Sequence, residues 1–213
     1  MSQDTGILQI CESLGVHPSE HQVQALLNYL SLLQRWNATY NLTAVRDPSA
    51  MLTQHLADCL AVVPRLAQHY SMGRVLDVGS GGGLPGAVLA IMLPALDVTC
   101  VDTVGKKVAF IRQVAGNLGL RNLHAIHGRV QDLKVPSFDL ITSRAFASLS
   151  DFVSWTHSRL APGGVWVAMK GKAPTDEILA VPAAVHVFHV EPLAVPGLDA
   201  ERCLVWMRPQ INP

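Results

Sequence analysis

The stretch from Arg74 to Gly86, RVLDVGSGGGLPG, narrows the folds open to this chain more than any other. Arg74 to Val78 reads as a short buried strand, with Val75, Leu76 and Val78 apolar and Asp77 near its end. Five glycines follow within eight residues (Gly79, Gly81, Gly82, Gly83 and Gly86), and AVLAIML then opens a helix, with Pro85 placed for its first turn. Glycine serves where a backbone must turn tightly and let a ligand come against it with no Cβ in the way. Strand, glycine loop and helix N-terminus in succession form the arrangement that holds a nucleotide-like ligand. A turn that merely packed a helix on a sheet would leave this glycine density unexplained.

The ligand is the sharper question. Gly81 to Gly86 satisfies G-x-G-x-x-G, but a triple glycine meets many templates by chance. The better frame is Asp77-x-Gly79-x-Gly81-x-Gly83, an acid at the strand end with glycine at every second position. That frame resembles the first motif of class I S-adenosylmethionine-dependent methyltransferases. A Walker A reading fails, because no Lys-Ser/Thr follows the loop.

At 213 residues, 49% of them apolar, the chain suits one well-cored α/β unit with a parallel sheet covered on both faces. Its apolar runs are broken by Pro, Gly or charge short of the roughly 18–20 residues of a membrane span. The first ten residues are polar and mixed, unlike a cleavable signal, so a cytoplasmic protein is expected. Cys11, Cys59, Cys100 and Cys203 stand apart, with no C-x-x-C pair, and read as reduced structural thiols. Net charge is zero, yet Asp102 to Lys134 carries six basic and two acidic residues, a local surplus of four. Lys106, Lys107 and Arg112 in that surplus are candidate phosphate contacts for RNA; a solvated helix face is the alternative.

The first seventy residues read as a helical cap (1–70) and the rest as the ligand-binding core (71–213), packed as one globular unit. Ile7, Ile10, Cys11 and Leu14 have helical spacing up to Gly15. Ser19 and Gln22 form a capping box ahead of a Val23, Leu26, Leu27, Leu30, Leu33 stripe. A third helical segment begins near Pro48. Trp36 to Thr43 reads as a polar-aromatic connector, in which Trp36 and Tyr40 either stack on bases or pin the loop to the core.

Beyond the glycine loop, strands are expected at 97–102, 123–127, 138–142 and 165–169, with two late ones at 185–190 and 203–207. Helices are expected at 106–118, 148–160 and 174–179, the second ended by Pro162-Gly163-Gly164. This alternation predicts a Rossmann-like, doubly wound, mostly parallel seven-stranded sheet with an antiparallel edge strand.

Asp102 ends the second strand, 23 residues beyond Gly79, where a carboxylate accepts hydrogen bonds from ribose hydroxyls. The same feature suits NAD, so a NAD-dependent oxidoreductase stays open at this point. Asp77 is expected beneath the loop, holding its backbone or a water near the ligand's amino group. Gly128 to Asp132 is expected at the adenine edge, and Ser143 to Phe146 at the reacting methyl. His124 with His127, and His186 with His189, point to opposite faces of strands and make poor metal pairs, so no metal site is expected.

Trp36-Asn37 with Tyr40-Asn41-Leu42-Thr43, Arg46-Asp47-Pro48, His55 with Asp58, Asp77 to Gly86, Ser143 to Ala147 and Lys170-Gly171 together resemble the ribosomal RNA small subunit methyltransferase G family, also called glucose-inhibited division protein B. The resemblance runs from about residue 10 to the C-terminus. It implies methyl transfer from S-adenosylmethionine to N7 of guanine 527 in bacterial 16S ribosomal RNA, free or in a 30S subunit or assembly intermediate, by an enzyme expected to be monomeric. By matching position it implies cofactor contacts at Gly79, Leu84, Val130, Gln131 and Arg144, and it draws His55 toward the cofactor mouth. Gly82, where many relatives carry proline, and Gln131, where they often carry Glu, depart from the family pattern.

Guanine N7 already offers an in-plane lone pair, so no general base is needed, and the candidates at the transfer step are Arg144, Phe146 and His55. A ribose 2′-O-methyltransferase would need a base such as Lys170, which keeps that alternative open. A ribosome-associated protein that holds the cofactor without turning it over is the third reading.

Overall fold

The computed structural model describes residues 3–210. Seven strands, β1 (Gly73–Val78), β2 (Leu96–Asp102), β3 (Leu123–His127), β4 (Phe138–Arg144), β5 (Leu160–Lys170), β6 (Val185–Pro192) and β7 (Cys203–Pro209), form one sheet in the order β3-β2-β1-β4-β5-β7-β6. β1 to β5 pair in parallel, and β7 runs antiparallel to both β5 and the edge strand β6. The late pair of strands thus gives the sheet its antiparallel edge, as expected, with β7 running against both of its neighbours.

Each strand feeds two layers through the period-two alternation of its side chains. Val75, Val98, Leu140, Val167 and Leu204 join one apolar cluster with α6 (Gly86–Met92), α7 (Gly105–Leu118) and the N-terminal helices. Leu76, Val101, Ile141, Trp166 and Val205 join the other with α8 (Leu149–Thr156). The strand order reverses between β1 and β4, which opens a crevice at the carboxyl ends of those strands.

The N-terminal part comprises α1 (Gln3–Ser13), α2 (Glu20–Tyr40), α3 (Pro48–Met51), α4 (Asp58–Leu60) and α5 (Val63–Ala67), with a π-helical turn at Leu52–Ala57 between α3 and α4. Ser19 caps α2 in the expected box with Gln22, whose Nε2 also donates to the Ile91 and Met92 carbonyls at the end of α6. Tyr29, fully buried in α2, donates its hydroxyl to the Gly82 carbonyl at 2.8 Å. The N-terminal helices thus grip the glycine loop itself.

Four elements differ from their sequence reading. Trp36 to Tyr40 is not a connector but the last turn of α2. The helix stops at Asn41, which is left-handed (φ 51°, ψ 57°) and donates its N–H to the Asn37 carbonyl. Trp36 packs edge-on against Phe110 at 5.6 Å, so that extra turn is held by the core. The third helical segment is broken by the π-turn. The helix expected over 148–160 ends at Thr156, whose hydroxyl donates to the Phe152 carbonyl and accepts from Trp166 Nε1. Leu160 already pairs with Phe138, so Pro162-Gly163-Gly164 falls inside an irregular start of β5 rather than before it. Among the described residues no helix is long and apolar enough to cross a membrane.

Candidate active site

A cleft of about 440 Å³ lies at the carboxyl ends of β1 to β4, at the point where the strand order reverses. Gly79 floors it and the end of β2, with Asp102 and Val104, forms one wall. Gly128 to Gln131 forms a second wall, and Phe146 and Trp155 close the far side.

Gly79 has φ +66°, and a Cβ there would run into the Phe146 ring. Only glycine meets both demands, the left-handed backbone and the aromatic approach. Asp102 is buried and already accepts the Gly81 N–H at 2.9 Å on Oδ2 and the Val104 N–H at 2.8 Å on Oδ1. A carboxylate offers about four lone-pair positions, so two backbone bonds leave acceptor capacity for a ligand's hydroxyls. Lys107 Nζ lies 3.9 Å from the same Oδ2, on the cleft wall. Val130 and Gln131 sit in a short 3₁₀ turn after β3 and also border the cleft.

Asp77 is fully buried under the loop and is not one of the residues that border the cleft. Its Oδ2 accepts the Gly86 N–H at 2.8 Å, and its Oδ1 is buried with no hydrogen-bond partner. A Cβ on Gly86 would meet Cys100 Sγ and Asp77 Oδ2, so this helix start is packed to contact. Burial pushes the Asp77 carboxyl up to about 7, against the pull of the Gly86 N–H and of Arg144 and with added repulsion from Asp102. The fold then keeps a proton that the unfolded chain, titrating near the ordinary 3.8, has lost. Between about pH 4 and 7 the folded state binds more protons, and stability falls as pH rises through that window. Asp77→Asn cannot titrate and keeps an acceptor for Gly86. Its stability relative to the parent should therefore climb as pH rises between about 4 and 7. Urea titrations at both ends of that range check this, and a pH-independent difference would refute it.

The remaining residues singled out from sequence divide into those beside the cleft and those behind it. Gly81 turns its Cα toward open space, Gly83 packs against Ile111 and Ala87, and Leu84 is buried in the apolar cluster. These three build the loop without bordering the cleft. Arg144, last in β4, donates through Nη1 to Asp58 Oδ2 at 3.2 Å and to the Gln54 carbonyl at 3.1 Å. His55 is buried in the π-turn and shares a 2.7 Å hydrogen bond with Thr43 Oγ1 through Nε2, while its Nδ1 has no partner. Burial first, and then Arg144, lowers its pKa.

Lys170 lies one strand over. Its Nζ donates to the Ala147 carbonyl and to both Glu177 carboxylate oxygens, at 2.7 and 3.0 Å. An ammonium spent this way ties down the 144–148 segment; a base for a ribose hydroxyl would need the neutral amine. Of the basic residues on α7, Lys106 donates to the Tyr40 carbonyl and Arg112 to the Ala125 carbonyl. Tyr40 is exposed, whereas Trp36 is held between Tyr40 and Phe110.

Several site residues carry no role in the sequence reading. Trp155, exposed on α8, meets Phe146 edge-on at 5.7 Å and completes the cleft. Thr103 and Val104 extend the wall beyond Asp102. Asp58 is a buried charge amid apolar neighbours, the kind of residue that demands a partner, and that signal is readable in the sequence. Among the described residues no cluster of His, Cys, Asp and Glu could hold a metal ion.

The donor set fits S-adenosylmethionine. The carboxylate at the end of β2 has free acceptor positions, the glycine floor has no room for a Cβ, and the 128–131 backbone closes one side.

Comparison with known proteins agrees with this geometry. A chain from Acidovorax sp. (strain JS42) named Ribosomal RNA small subunit methyltransferase G is 59% identical over 207 residues, covering 92% of this chain and 91% of its own. One of the same name from Leptothrix cholodnii is 56% identical over 206 residues, covering 96% and 94%. A solved SAM dependent methyltransferase from Aquifex aeolicus superposes with a TM-score of 0.55 at 18% identity, over 76% of this chain and 93% of that one, and so shares the fold. The family model GidB, rRNA small subunit methyltransferase G, matches residues 22–205. The oxidoreductase reading falls with that match, and the chain belongs to the rRNA small subunit methyltransferase G family.

Proposed function

We propose that this protein transfers the methyl group of S-adenosylmethionine to N7 of guanine 527 in 16S ribosomal RNA, as a cytoplasmic monomer acting on the 30S subunit or its assembly intermediate. The observation that carries the reading is a family match spanning 22–205 on a chain whose cleft holds Gly79 and Asp102 at the reversal of strand order. When bound, the cofactor supplies an electrophilic methyl on a sulfonium.

The chain's own residues bind and orient. Asp102 accepts from the ribose hydroxyls, and Val130 and Gln131 border the adenine. Gly79 lets the backbone come close, held from below by Gly81, Gly83 and Leu84, with Asp77 anchoring the helix that follows. Arg144 offers its remaining donors to the cofactor carboxylate or to an RNA phosphate, in a planar geometry that lysine lacks. Phe146, with Trp155 edge-on beside it, forms an aromatic wall for an unstacked guanine. Holding N7 in line behind the methyl is the main task, and positioning of that kind supplies about 7–11 kcal/mol. His55 keeps the 43–45 segment in place beside Arg144. Lys170 holds the loop that carries Phe146, a role that weighs against the ribose 2′-O alternative.

Labelled S-adenosylmethionine with 16S RNA, supplied free and as 30S particles, tests the reading when the labelled position is mapped by mass spectrometry. Label at guanine N7 is expected. Label on a ribose, on an exocyclic amine, or nowhere would overturn it.

The RNA interface includes Tyr40 at the exposed end of α2 and Lys106 and Arg112 along α7. A carbonyl partner leaves both cations fully charged, so phosphates can still meet them. Neutralising Lys106 and Arg112 together should flatten the log–log salt dependence of RNA affinity by about 1.4, at about 0.7 per contact. Lys107 is left out because it borders the cofactor cleft. A double variant with the parental slope would mean that α7 is only a solvated face.

A further inference from the structure

Arg144 reaches out of the sheet into the N-terminal helices, and what it meets there is unusual. Asp58, 3% exposed, receives two guanidinium groups: Arg144 Nη1 at 3.2 Å on Oδ2 and Arg202 Nε at 2.8 Å on Oδ1. Arg202 is further tied by Nη1 to the Glu201 carbonyl at 2.8 Å. The second acceptor for Arg144 depends on the π-turn. In a regular α-helix the Asp58 N–H would bond the Gln54 carbonyl, four residues back. Here it bonds Thr53 O, five back, and also His55 O, while Gln54 O takes Arg144 Nη1 at 3.1 Å. Single π-turns of this kind recur at functional sites.

One nitrogen of Arg144 is thus fixed by a buried carboxylate and a carbonyl from the same turn. With one corner of a planar guanidinium held, its other donors point in a set direction. Arg202 balances the other carboxylate oxygen. A buried acid with two cations is fully compensated, with one positive charge left over.

We propose that Asp58 is a positioning residue for the transfer step: with the Gln54 carbonyl it fixes the orientation of Arg144, and Arg202 serves only to balance its charge. This deepens the methyltransferase reading and rests on the role given there to Arg144. The N-terminal helices then contribute to the site across 86 residues of sequence as well as covering it.

The test is a double-mutant cycle read as methyl transfer at saturating cofactor and RNA. Asp58→Asn should lower the rate by about tenfold or more. The double variant Asp58→Asn/Arg144→Lys should be no more than about threefold slower than Arg144→Lys alone, because both changes spoil one orientation. A double variant in which the two losses multiply would overturn the proposal, since a carboxylate that merely braces the fold acts independently of the lysine. Arg202→Gln should stay within about threefold of the parent; a loss equal to that of Asp58→Asn would also overturn it, by making the whole charge cluster the active unit. If Asp58→Asn does not fold, the cycle is run with Asp58→Glu, which keeps the charge and displaces it by one methylene, with the same outcomes. An Arg144→Lys protein with the parental rate refutes the proposal outright. The cycle reads transfer wherever the methyl lands, so label found at a position other than guanine N7 would refute the substrate assignment and leave this inference standing or falling by itself.

Discussion

Gly79→Ala should lose S-adenosylmethionine binding by roughly a hundredfold or more, about 2.7 kcal/mol, in a protein that still folds. Two costs converge at this position. With φ at +66°, any side chain is held in the left-handed region, at about 1–2 kcal/mol. The new methyl also runs into the Phe146 ring, which borders the cleft and has Phe152 and Trp155 edge-on against it, so a displaced ring moves toward the cleft. The backbone strain weakens the floor, and the displaced ring occupies the space the cofactor needs. Gly81→Ala is the control, because φ there is +57° but nothing lies within 4 Å of the added methyl. It carries the same backbone strain without the obstruction, and its affinity should fall much less. Calorimetry with S-adenosylmethionine and its demethylated product, alongside thermal melts, measures both. Equal losses in the two variants would mean that strain alone governs the loop and that Phe146 plays no part.

The contrast between these glycines marks how far the sequence can be read. The strand, the glycine density and the following helix identify the binding loop, because each is a local demand on φ and on apolar spacing. Which glycine meets the ligand side depends on Phe146, a residue 67 positions away, and no local pattern encodes that. The strands follow the same rule. β3 is found at its expected bounds because nothing outside it alters its pairing. β5 begins at Leu160, before the Pro-Gly-Gly that reads as a turn, because Phe138 offers it a partner there. Trp36 to Tyr40 has the polar composition of a connector, yet Phe110 and the core hold it helical.

Charged residues show the same division. Asp102 is legible from its distance to Gly79, since a βαβ unit fixes that spacing. Asp58 is legible as an acid beside His55 on an apolar helix face, but not its partners, which lie 86 and 144 residues along the chain. Lys106 and Arg112 count toward a local surplus of charge, but a count does not reveal that each already serves a backbone carbonyl. Electrostatic roles follow from what folding brings together, and only those encoded within a single supersecondary unit can be read in advance.

Arg144→Lys isolates one such role, set by folding, in a single measurement. The substitution keeps the positive charge, so Asp58 stays compensated and the sheet end should remain folded. What it removes is geometry. A lysine ammonium could replace one of the two bonds that Nη1 makes to Asp58 and Gln54, but it has no further planar donors to present to an anion. If Arg144 were only an ion pair bracing two layers, Lys would serve nearly as well, since it keeps a positive charge beside the buried Asp58. As a residue of the transfer step it should cost more than about tenfold in methyl transfer, or about 1.4 kcal/mol, with the melting temperature close to parental. Rates at saturating cofactor and RNA, set against the affinity for S-adenosylhomocysteine, separate a lost ground-state contact from a lost transition-state one. A fall in rate with unchanged affinity assigns Arg144 to alignment of the acceptor; a fall in both assigns it to the cofactor carboxylate. A folded Arg144→Lys enzyme at the parental rate would remove Arg144 from the chemistry and leave the aromatic wall of Phe146 and Trp155 to hold the guanine alone.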